Sequence, residues 1–388
     1  MNTSIFLDYA STTPVDPAVA KAMMGCLTLD GNFANPASRT HGPGWLAEEA
    51  VDIARHQVAD LVNADAREII FTSGATESNN LAIKGALTAN SDKGRHIVTL
   101  ATEHKAVLDV FTAMESQGYE VTQLNTQANG RVDIEQLRSA IREDTALVSV
   151  MYVNNETGVI QDIAEIGNLC RQREVIFHTD AAQATGKIAI DLQTLPVDLM
   201  SFSAHKTYGP KGIGALFIRR RPRVLVDAQM HGGAHERGFR SGTLPTHQIV
   251  GMGKAFELAG EHLAKASEAI ANHRNTLWQG IQDLPDIQLN SDSEYSVPHI
   301  MNISLGTLDS QRFLPALAPL ALSSGSACTS ATMTPSHVLT AMGINHDYAH
   351  SAIRISFGRF TKASDITTAI EKIREVTLAF TQADLQRQ

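Results

Sequence analysis

Two residues that follow strand-like segments could together hold pyridoxal phosphate. Asp180 ends the apolar part of "EVIFHTDAAQ", and Lys206 ends "VDLMSFSAHK". This cofactor needs a lysine for its Schiff base and a carboxylate at its pyridine nitrogen, which keeps the ring protonated as an electron sink. Asp180 alone could equally cap the N-terminus of a helix. The pairing with a lysine between an apolar segment and a glycine-rich turn favours the cofactor.

A phosphate group would need a cradle of its own. The segment "FTSGATESNNLAIKGAL" predicts a strand, a turn at Ser73 and Gly74, and a helix beginning near Ala75 and Thr76. Backbone N–H groups at the positive end of such a helix bind anions. An ordinary capped helix start, with Thr76 as the cap, is the alternative. The combination of Asp180 and Lys206 elsewhere in the chain favours the anion site.

The third chemical candidate is Cys328 in the segment "SSGSACTS". No apolar periodicity surrounds this thiol, so nothing in the pattern predicts that it is buried. Cys26 and Cys170 lie in helix-like segments and are interpreted as structural. Three cysteines are too few and too scattered for a disulfide framework or a zinc site, and they favour a reducing, cytoplasmic location. We predict no metal site.

The elements that must position these residues alternate between helix and strand from about residue 45. This alternation predicts the α/β class, with a mostly parallel sheet covered by helices. In such sheets the ligand crevice lies at the carboxyl ends of the strands. Five chemically capable residues follow predicted strands, and we expect them to share one site: Thr76, His104, Asn155, Asp180 and Lys206.

A second, smaller domain is predicted where the composition changes near residue 265. We place the large domain at residues 16–263 and build the small α+β domain from residues 1–15 and 264–388. The cysteine loop, at about 323–333, belongs to the small domain. Arg354 lies there among apolar neighbours, where an unpaired charge would be costly, so we expect a bound carboxylate to compensate it.

Composition excludes several function classes for this chain of 388 residues. A net charge of -9 argues against nucleic acid or an anionic membrane as the main partner. The N-terminal segment "MNTSIFLDYA" has no basic start, and no apolar run approaches the roughly 20 residues of a spanning helix. We therefore expect neither secretion nor membrane insertion. Small molecules or proteins are the expected partners.

Taken together, the motifs resemble the cysteine desulfurases of the iron-sulfur-cluster assembly type, within the fold-type I, class V aminotransferase superfamily. The resemblance extends in order over nearly the whole chain. It rests on "LDYASTTP", "FTSGATESNNLAIKG", "EHKAVLD", "VNNETGV", "HTDAAQ", "SFSAHKTYGPKGIGAL", "MHGGAHERGFRSGT", "SSGSACTS" and "HSAIRISFGRF". The last two segments are the most specific.

The resemblance implies a role for each cofactor contact. Lys206 would form the Schiff base, Asp180 would pair with the pyridine nitrogen, Gln183 would contact the ring oxygen, and His104 would stack on the ring. The phosphate would be held by a further set, of which the last member would reach over from a second subunit and so imply a homodimer: Ala75, Thr76, Ser203, His205 and Thr243.

The resemblance also implies the reaction. Asn155 and Arg354 would bind the carboxylate of L-cysteine. The thiolate of Cys328 would attack the substrate sulfur, which leaves a persulfide on the protein and L-alanine as the co-product. His104 would handle the proton of the substrate thiol. The sulfur would then pass to acceptor proteins, for cluster assembly, tRNA thiolation or another sulfur pathway.

Two departures from the family pattern bear on that last step. Pro315 and Pro319 fall where relatives run a continuous helix toward the cysteine loop, and proline breaks or kinks helices. From the final segment, "TQADLQRQ", we expect that the tail which comparable enzymes use to dock a cluster scaffold is shortened.

The alternatives to a cysteine desulfurase are a selenocysteine lyase or another class V aminotransferase, and an inactive paralogue that binds sulfur-relay proteins.

Overall fold

The strands form three sheets in the computed structural model, which describes residues 4–306, 308, 310–324 and 335–385. In chain order the strands are Ile5–Phe6 (β1), Ile69–Thr72 (β2), His96–Leu100 (β3), Glu120–Leu124 (β4), Thr145–Ser149 (β5), Ile176–Asp180 (β6), Leu199–Ser203 (β7), Gly214–Ile218 (β8), Ile287–Leu289 (β9), Ile300–Leu305 (β10), Leu320–Ala321 (β11), Ser323–Ser324 (β12) and Ile353–Ser356 (β13).

The largest sheet has seven strands in the order β2-β8-β7-β6-β5-β3-β4. Only β8 runs antiparallel to its neighbours, and the remaining pairs are parallel. Apart from the edge strand β4, every residue of these strands is buried. Burial on both faces explains their continuous apolar sequence. The predicted α/β class with a mostly parallel sheet is confirmed.

Helices cover both faces of this sheet and flank the smaller ones. They run over Pro17–Met24 (α1), Gly42–Leu61 (α2), Ala75–Ala89 (α3), Lys105–Glu115 (α4), Ile134–Ala140 (α5), Ile163–Gln172 (α6), Thr246–Ile281 (α7), Ser310–Ala316 (α8), His337–Ala341 (α9), His346–His350 (α10) and Ala363–Leu385 (α11). None of the described helices is long and apolar enough to cross a membrane.

The second core packs around a four-stranded antiparallel sheet in the order β12-β13-β10-β9. Residues from α7 and α11 pack on it, including Leu277 and Ile373. The N-terminal strand β1 pairs with β11, so the first residues of the chain join this part of the molecule. The 36-residue helix α7 runs through residue 263, where the sequence places a domain boundary. That boundary stays a prediction.

One strand differs from the sequence-based expectation, and one helix agrees with it. Strand β4 is absent from the predicted set because, as an edge strand, its residues are mostly exposed or half-buried and carry little apolar signal. Helix α8 contains Pro315 and ends at Ala316, as expected where proline interrupts a helix. Cys328 and most of the predicted cysteine loop lie outside the described residues.

Candidate active site

A cavity of about 480 Å³ lies at the carboxyl ends of the parallel strands and brings most of the predicted site residues together. Its walls include Ala75, Thr76, His104, Asn155, Asp180, Gln183, Ser203, His205, Lys206 and Arg354. Thr243 is exposed on a loop before α7 and does not line the cavity of its own chain. The five residues expected to share a site from their strand-end positions all line this cavity.

Lys206 ends a short 3₁₀ turn, Ala204–Lys206, that directly follows β7. Its Nζ donates hydrogen bonds to the carbonyl oxygens of Ala10 (2.6 Å) and Ser11 (2.7 Å). The N-terminal segment therefore holds the amine at the cavity. Sequence analysis missed this contact, because a backbone carbonyl has no side-chain signature.

Asp180 is the last residue of β6, and its buried carboxylate is held at both oxygens. Oδ1 accepts the backbone N–H of Ala182 at 2.9 Å, and Oδ2 accepts Nδ2 of Asn79 at 2.7 Å. These two bonds fix the plane of the carboxylate. Asn79 was not predicted as a site residue. The sequence feature that could have identified it is an amide on the apolar face of α3, since a buried amide requires a hydrogen-bond partner.

The N-terminus of α3 is the predicted anion cradle. Its N-cap is Gly74, which has φ 152° and makes no side-chain capping bond. The alternative of an ordinary helix start capped by Thr76 is therefore wrong, and Ala75 and Thr76 of the first turn line the cavity. A Cβ on Gly214 of β8 would lie 2.7 Å from Cα of Gly74. Glycine is required there because the two backbones nearly touch.

His205 stands beside this cradle as a neutral imidazole. Burial, together with the smaller effect of the nearby charge of Lys206, lowers its pKa to about 4. Its Nδ1 is 3.1 Å from the hydroxyl of Thr12. A neutral histidine offers one N–H donor without adding a formal charge. With the helix end, it provides donors suited to a phosphate.

Gln183 is held at both ends of its carboxamide. Nε2 donates to the carbonyl of Ala10 at 2.8 Å, and Oε1 accepts Nζ of the buried Lys187. Lys187 was not predicted as a site residue, because a single lysine is usually a solvated surface charge. The Ala10 carbonyl thus accepts from both Gln183 and Lys206.

His104 is the N-cap of α4, where Nδ1 accepts the backbone N–H of Ala106 at 3.0 Å. Burial lowers the pKa of the ring, Asp180 opposes that shift, and Lys206 adds to it. The ring is therefore neutral near pH 7. Because Nδ1 is an acceptor, the proton of the neutral ring resides on Nε2.

On the opposite wall, Arg354 extends from β13 of the smaller sheet. One terminal nitrogen donates to the carbonyl of Asn155 at 2.9 Å, and the other forms an ion pair with Asp8 at 2.9 Å. Asp8 thus supplies a carboxylate from within the chain, which the sequence had not identified. Nε of Arg354 and Oδ1 of Asn155 are buried without a described partner.

The donor set matches the parts of pyridoxal phosphate. An amine, an oriented carboxylate and an uncapped helix end with a glycine cradle line one cavity. They correspond to the aldehyde carbon, the pyridine nitrogen and the phosphate of that cofactor. The residues present therefore fit the group.

Comparison with known proteins agrees with this chemistry. The sequence profile of the family described as "Aminotransferase class-V" matches residues 5–368. The chain is 58% identical over 375 residues to "Cysteine desulfurase IscS" of Escherichia coli O139:H28, covering 97% of this chain and 93% of the relative. The relative of the same name from Shigella boydii serotype 18 gives the same identity and coverage.

Solved structures give the same result. A "NIFS-like protein" matches with a TM-score of 0.91 and 34% identity, over 97% of this chain and 100% of that one. "SspA in complex with cysteine" matches with a TM-score of 0.81 and 39% identity, over 93% and 100% of the two chains. The resemblance inferred from the motifs is confirmed: the chain belongs to the class-V aminotransferase family, within its cysteine desulfurases.

Proposed function

We propose that this chain is a pyridoxal phosphate-dependent cysteine desulfurase that converts L-cysteine to L-alanine and passes the sulfur to acceptor proteins. The observation that carries the proposal is the presence of Lys206, Asp180 and the α3 anion cradle on the walls of one cavity. The names of the similar proteins support the choice of cysteine as substrate.

Four residues would hold the cofactor ring. Lys206 would bind it covalently, the carboxylate of Asp180 would face the pyridine nitrogen, Gln183 would donate to the ring oxygen, and His104 would lie on the ring face. When bound, the cofactor supplies the electron sink that weakens the C–S bond of the substrate. Asn79 keeps Asp180 in place through its 2.7 Å hydrogen bond.

The phosphate would be held by Ala75, Thr76, Ser203 and His205. Thr243 would complete the cradle from a neighbouring subunit, which makes the enzyme a homodimer. The exposed position of Thr243, outside the cavity of its own chain, is consistent with that role.

Arg354 and Asn155 would bind the carboxylate of L-cysteine. A guanidinium offers donors in a planar fork, which suits a carboxylate. Nε of Arg354 is a buried donor without a described partner, and the carbonyl bond to Asn155 orients the group. Substrate binding would satisfy a donor that the chain itself leaves open.

Sulfur transfer would then occur at Cys328. Its thiolate attacks the substrate sulfur, an S–S bond forms, and the C–S bond breaks. The electron pair of the broken bond stays with the substrate's β-carbon, which is protonated to give alanine. The product on the protein is a persulfide, and no external oxidant is required. A thiol of an acceptor protein takes the outer sulfur by exchange.

His104 would act on the substrate as a proton donor through its Nε2–H, because Nε2 of this tautomer has no lone pair to accept a proton. The Ala106 N–H occupies Nδ1, so the exchangeable proton is on the other ring nitrogen. Because burial keeps the ring neutral, it enters the reaction uncharged.

We place the enzyme in the cytoplasm, where thiols stay reduced. Cluster assembly and tRNA thiolation are the candidate destinations of the sulfur.

The test is turnover of L-cysteine by three cysteine variants. Wild-type holoenzyme is expected to form alanine, and to release sulfide when a reductant is present. Cys328→Ala abolishes both products, while Cys26→Ala and Cys170→Ala retain them. Cys170 is a suitable control because burial raises the pKa of its thiol, which keeps it unreactive. Full activity of Cys328→Ala, or turnover of selenocysteine alone, would contradict the proposal.

A further inference from the structure

A second lysine lies behind the cofactor lysine and has no role in the reaction described above. Lys187 is buried in the turn that follows β6, and its Nζ donates to Oε1 of Gln183. It also lines a small cavity of about 30 Å³ whose walls include Lys206. A fully buried lysine is rare, so this one requires an explanation.

The surroundings of Lys187 exclude a simple ion pair. Within the described part of the chain no salt bridge involves this amine, and the charges that act on it, Lys206 and Arg354, are both positive. Burial, together with the smaller effect of those two cations, lowers its pKa to about 7. The other titratable groups around the small cavity are Tyr9, Tyr208, His262, His299 and Arg359.

Hydrogen-bond chemistry gives the amine a different task. The amine donates to the oxygen end of the Gln183 carboxamide, and this bond fixes which end of the carboxamide faces Lys187. The NH₂ end then faces the carbonyl of Ala10, to which it donates at 2.8 Å. One hydrogen of Nε2 is used in that bond. The second remains for an acceptor in the main cavity, which Gln183 lines.

We propose that Lys187 is a positioning residue that fixes the carboxamide of Gln183, so that its remaining N–H meets the ring oxygen of the bound cofactor. The inference rests on the proposed function, because it needs a cofactor in the main cavity. With the amine removed, only the Ala10 carbonyl would orient the carboxamide. The ring oxygen would then lose its donor for part of the time.

Two other roles for Lys187 give different results in a double-mutant cycle. As a positive charge, it would act on the cofactor directly and independently of Gln183. As a filler of the core, it would contribute to stability alone. The readout that separates the three roles is the midpoint of the pH titration of the cofactor's visible absorbance band in the holoenzyme. A hydrogen bond to the ring oxygen changes that midpoint, and core packing does not.

The experiment compares wild type, Lys187→Met, Gln183→Leu and the double variant as holoenzymes. Loss of one hydrogen-bond donor destabilises the form in which the cofactor's ring oxygen carries more negative charge. We therefore expect the midpoint of the titration to rise by about one pH unit. Lys187→Met and Gln183→Leu each produce this rise, and the double variant rises no further than Gln183→Leu. His299→Leu, which removes another buried polar side chain from the same small cavity, leaves the midpoint unchanged.

Two results would overturn the positioning role. One is a Lys187→Met midpoint equal to that of the wild type. The other is an equal shift by Lys187→Met in the wild-type and Gln183→Leu backgrounds, which indicates a direct charge effect. Lys187→Leu replaces the methionine variant if the latter does not fold. Failure of the proposed function is distinct, since wild-type protein would then show no visible band and form no alanine.

Discussion

The residues proposed to contact the cofactor and those proposed to contact the substrate differ in how completely the chain satisfies their polar groups, while Asn79 behind Asp180 also keeps a buried Oδ1 without a described partner. On the cofactor wall, both oxygens of Asp180 and both ends of the Gln183 carboxamide have partners within the chain. On the opposite wall, Arg354 and Asn155 each keep a buried polar atom without a described partner. Leaving such a group unsatisfied costs about 1–3 kcal/mol.

This difference suggests that the walls have different tasks. A cofactor that stays bound through many turnovers gains from groups that are fixed in advance. A substrate that enters and leaves each cycle can instead complete bonds that the protein leaves open. The cofactor wall also derives from the larger sheet, whereas Arg354 extends from the smaller one. Substitutions on the two walls should therefore change different kinetic quantities.

Removal of the cofactor amine should have the largest effect. We expect Lys206→Ala to lower the rate of alanine formation by at least about 10³-fold, as for loss of a group that moves protons and holds the reactant. The measurement is single-turnover alanine formation by cofactor-loaded protein. Lys254→Ala, which removes only a surface ion pair with Glu257, is the control. A rate within a few-fold of wild type would contradict the assignment.

Breaking the opposite wall should raise KM. Arg354→Lys loses the planar fork and one charge-assisted bond, so we expect the KM for L-cysteine to rise on the order of 10²-fold, with a smaller change in kcat. Steady-state kinetics measure both values. Arg359→Lys changes a similar ion pair, with Asp16, outside the main cavity and should keep the wild-type KM. An unchanged KM in Arg354→Lys would remove this residue from substrate binding.

The support of the cofactor wall can be weakened without touching the cofactor. Asn79→Ala removes the donor to Oδ2 of Asp180, and we expect cofactor affinity to fall about 10-fold, as for one hydrogen bond to a charged group. Equilibrium binding of pyridoxal phosphate to the apoenzyme measures it. Asn80→Ala is the control on the same helix, because that half-buried amide donates to the carbonyl of Thr76. Equal losses in both variants would indicate a general effect on the helix.

The pH dependence sharpens the role of His104. Burial moves its pKa below the ordinary value of 6.5, so the ring becomes charged only at a more acidic pH. If neutral His104 is required, kcat is expected to hold through pH 6.5 and to fall on the acidic side of it. In His104→Gln that acidic decline should disappear along with most of the activity. A wild-type decline centred above 6.5 would contradict the neutral ring.

The last prediction concerns the stability of the large sheet rather than turnover, at a histidine of β6 that lies two residues before Asp180. His178 lies between the hydroxyls of Ser149 and Ser201, and burial lowers its pKa to about 4. The unfolded chain, with a histidine pKa near 6.5, binds this proton first. Stability is therefore lost as the pH falls from 6.5 to 4, by up to about 1.4 kcal/mol per pH unit.

Denaturant unfolding at several pH values measures that slope. We expect His178→Leu to flatten it by the contribution of one histidine, and Lys84→Ala, which removes a lysine of α3, to leave it unchanged. If the free energy of unfolding of His178→Leu changes with pH as steeply as that of the wild type, groups other than His178 take up the proton.

The chemistry of the site could be predicted wherever it depends on side chains at strand ends. Asp180 and Lys206 follow buried strands of the parallel sheet, and topology then places them at one edge. Arg354 was predictable as a charge among apolar residues, but its partner Asp8 was not, because the two lie on segments far apart in the chain. Local pattern carries no information about such long-range pairing.

What the sequence could not provide is the layer of contacts that holds those side chains. The carbonyl of Ala10 is a backbone group, so no residue type marks it. Lys187 has the appearance of an ordinary surface lysine until its burial is seen. The edge strand β4 was missed for a related reason, since exposed positions in it lack the apolar run that identifies its neighbours.

The most direct test of the central claim is mass spectrometry of the protein after one turnover with L-cysteine, under conditions that exclude reductant. The account predicts that the peptide containing Cys328 gains the mass of one sulfur atom, in an amount equal to the alanine formed, and that Lys206→Ala shows no gain. Alanine formed without added sulfur at Cys328, or sulfur found at Cys26 or Cys170 instead, would contradict it.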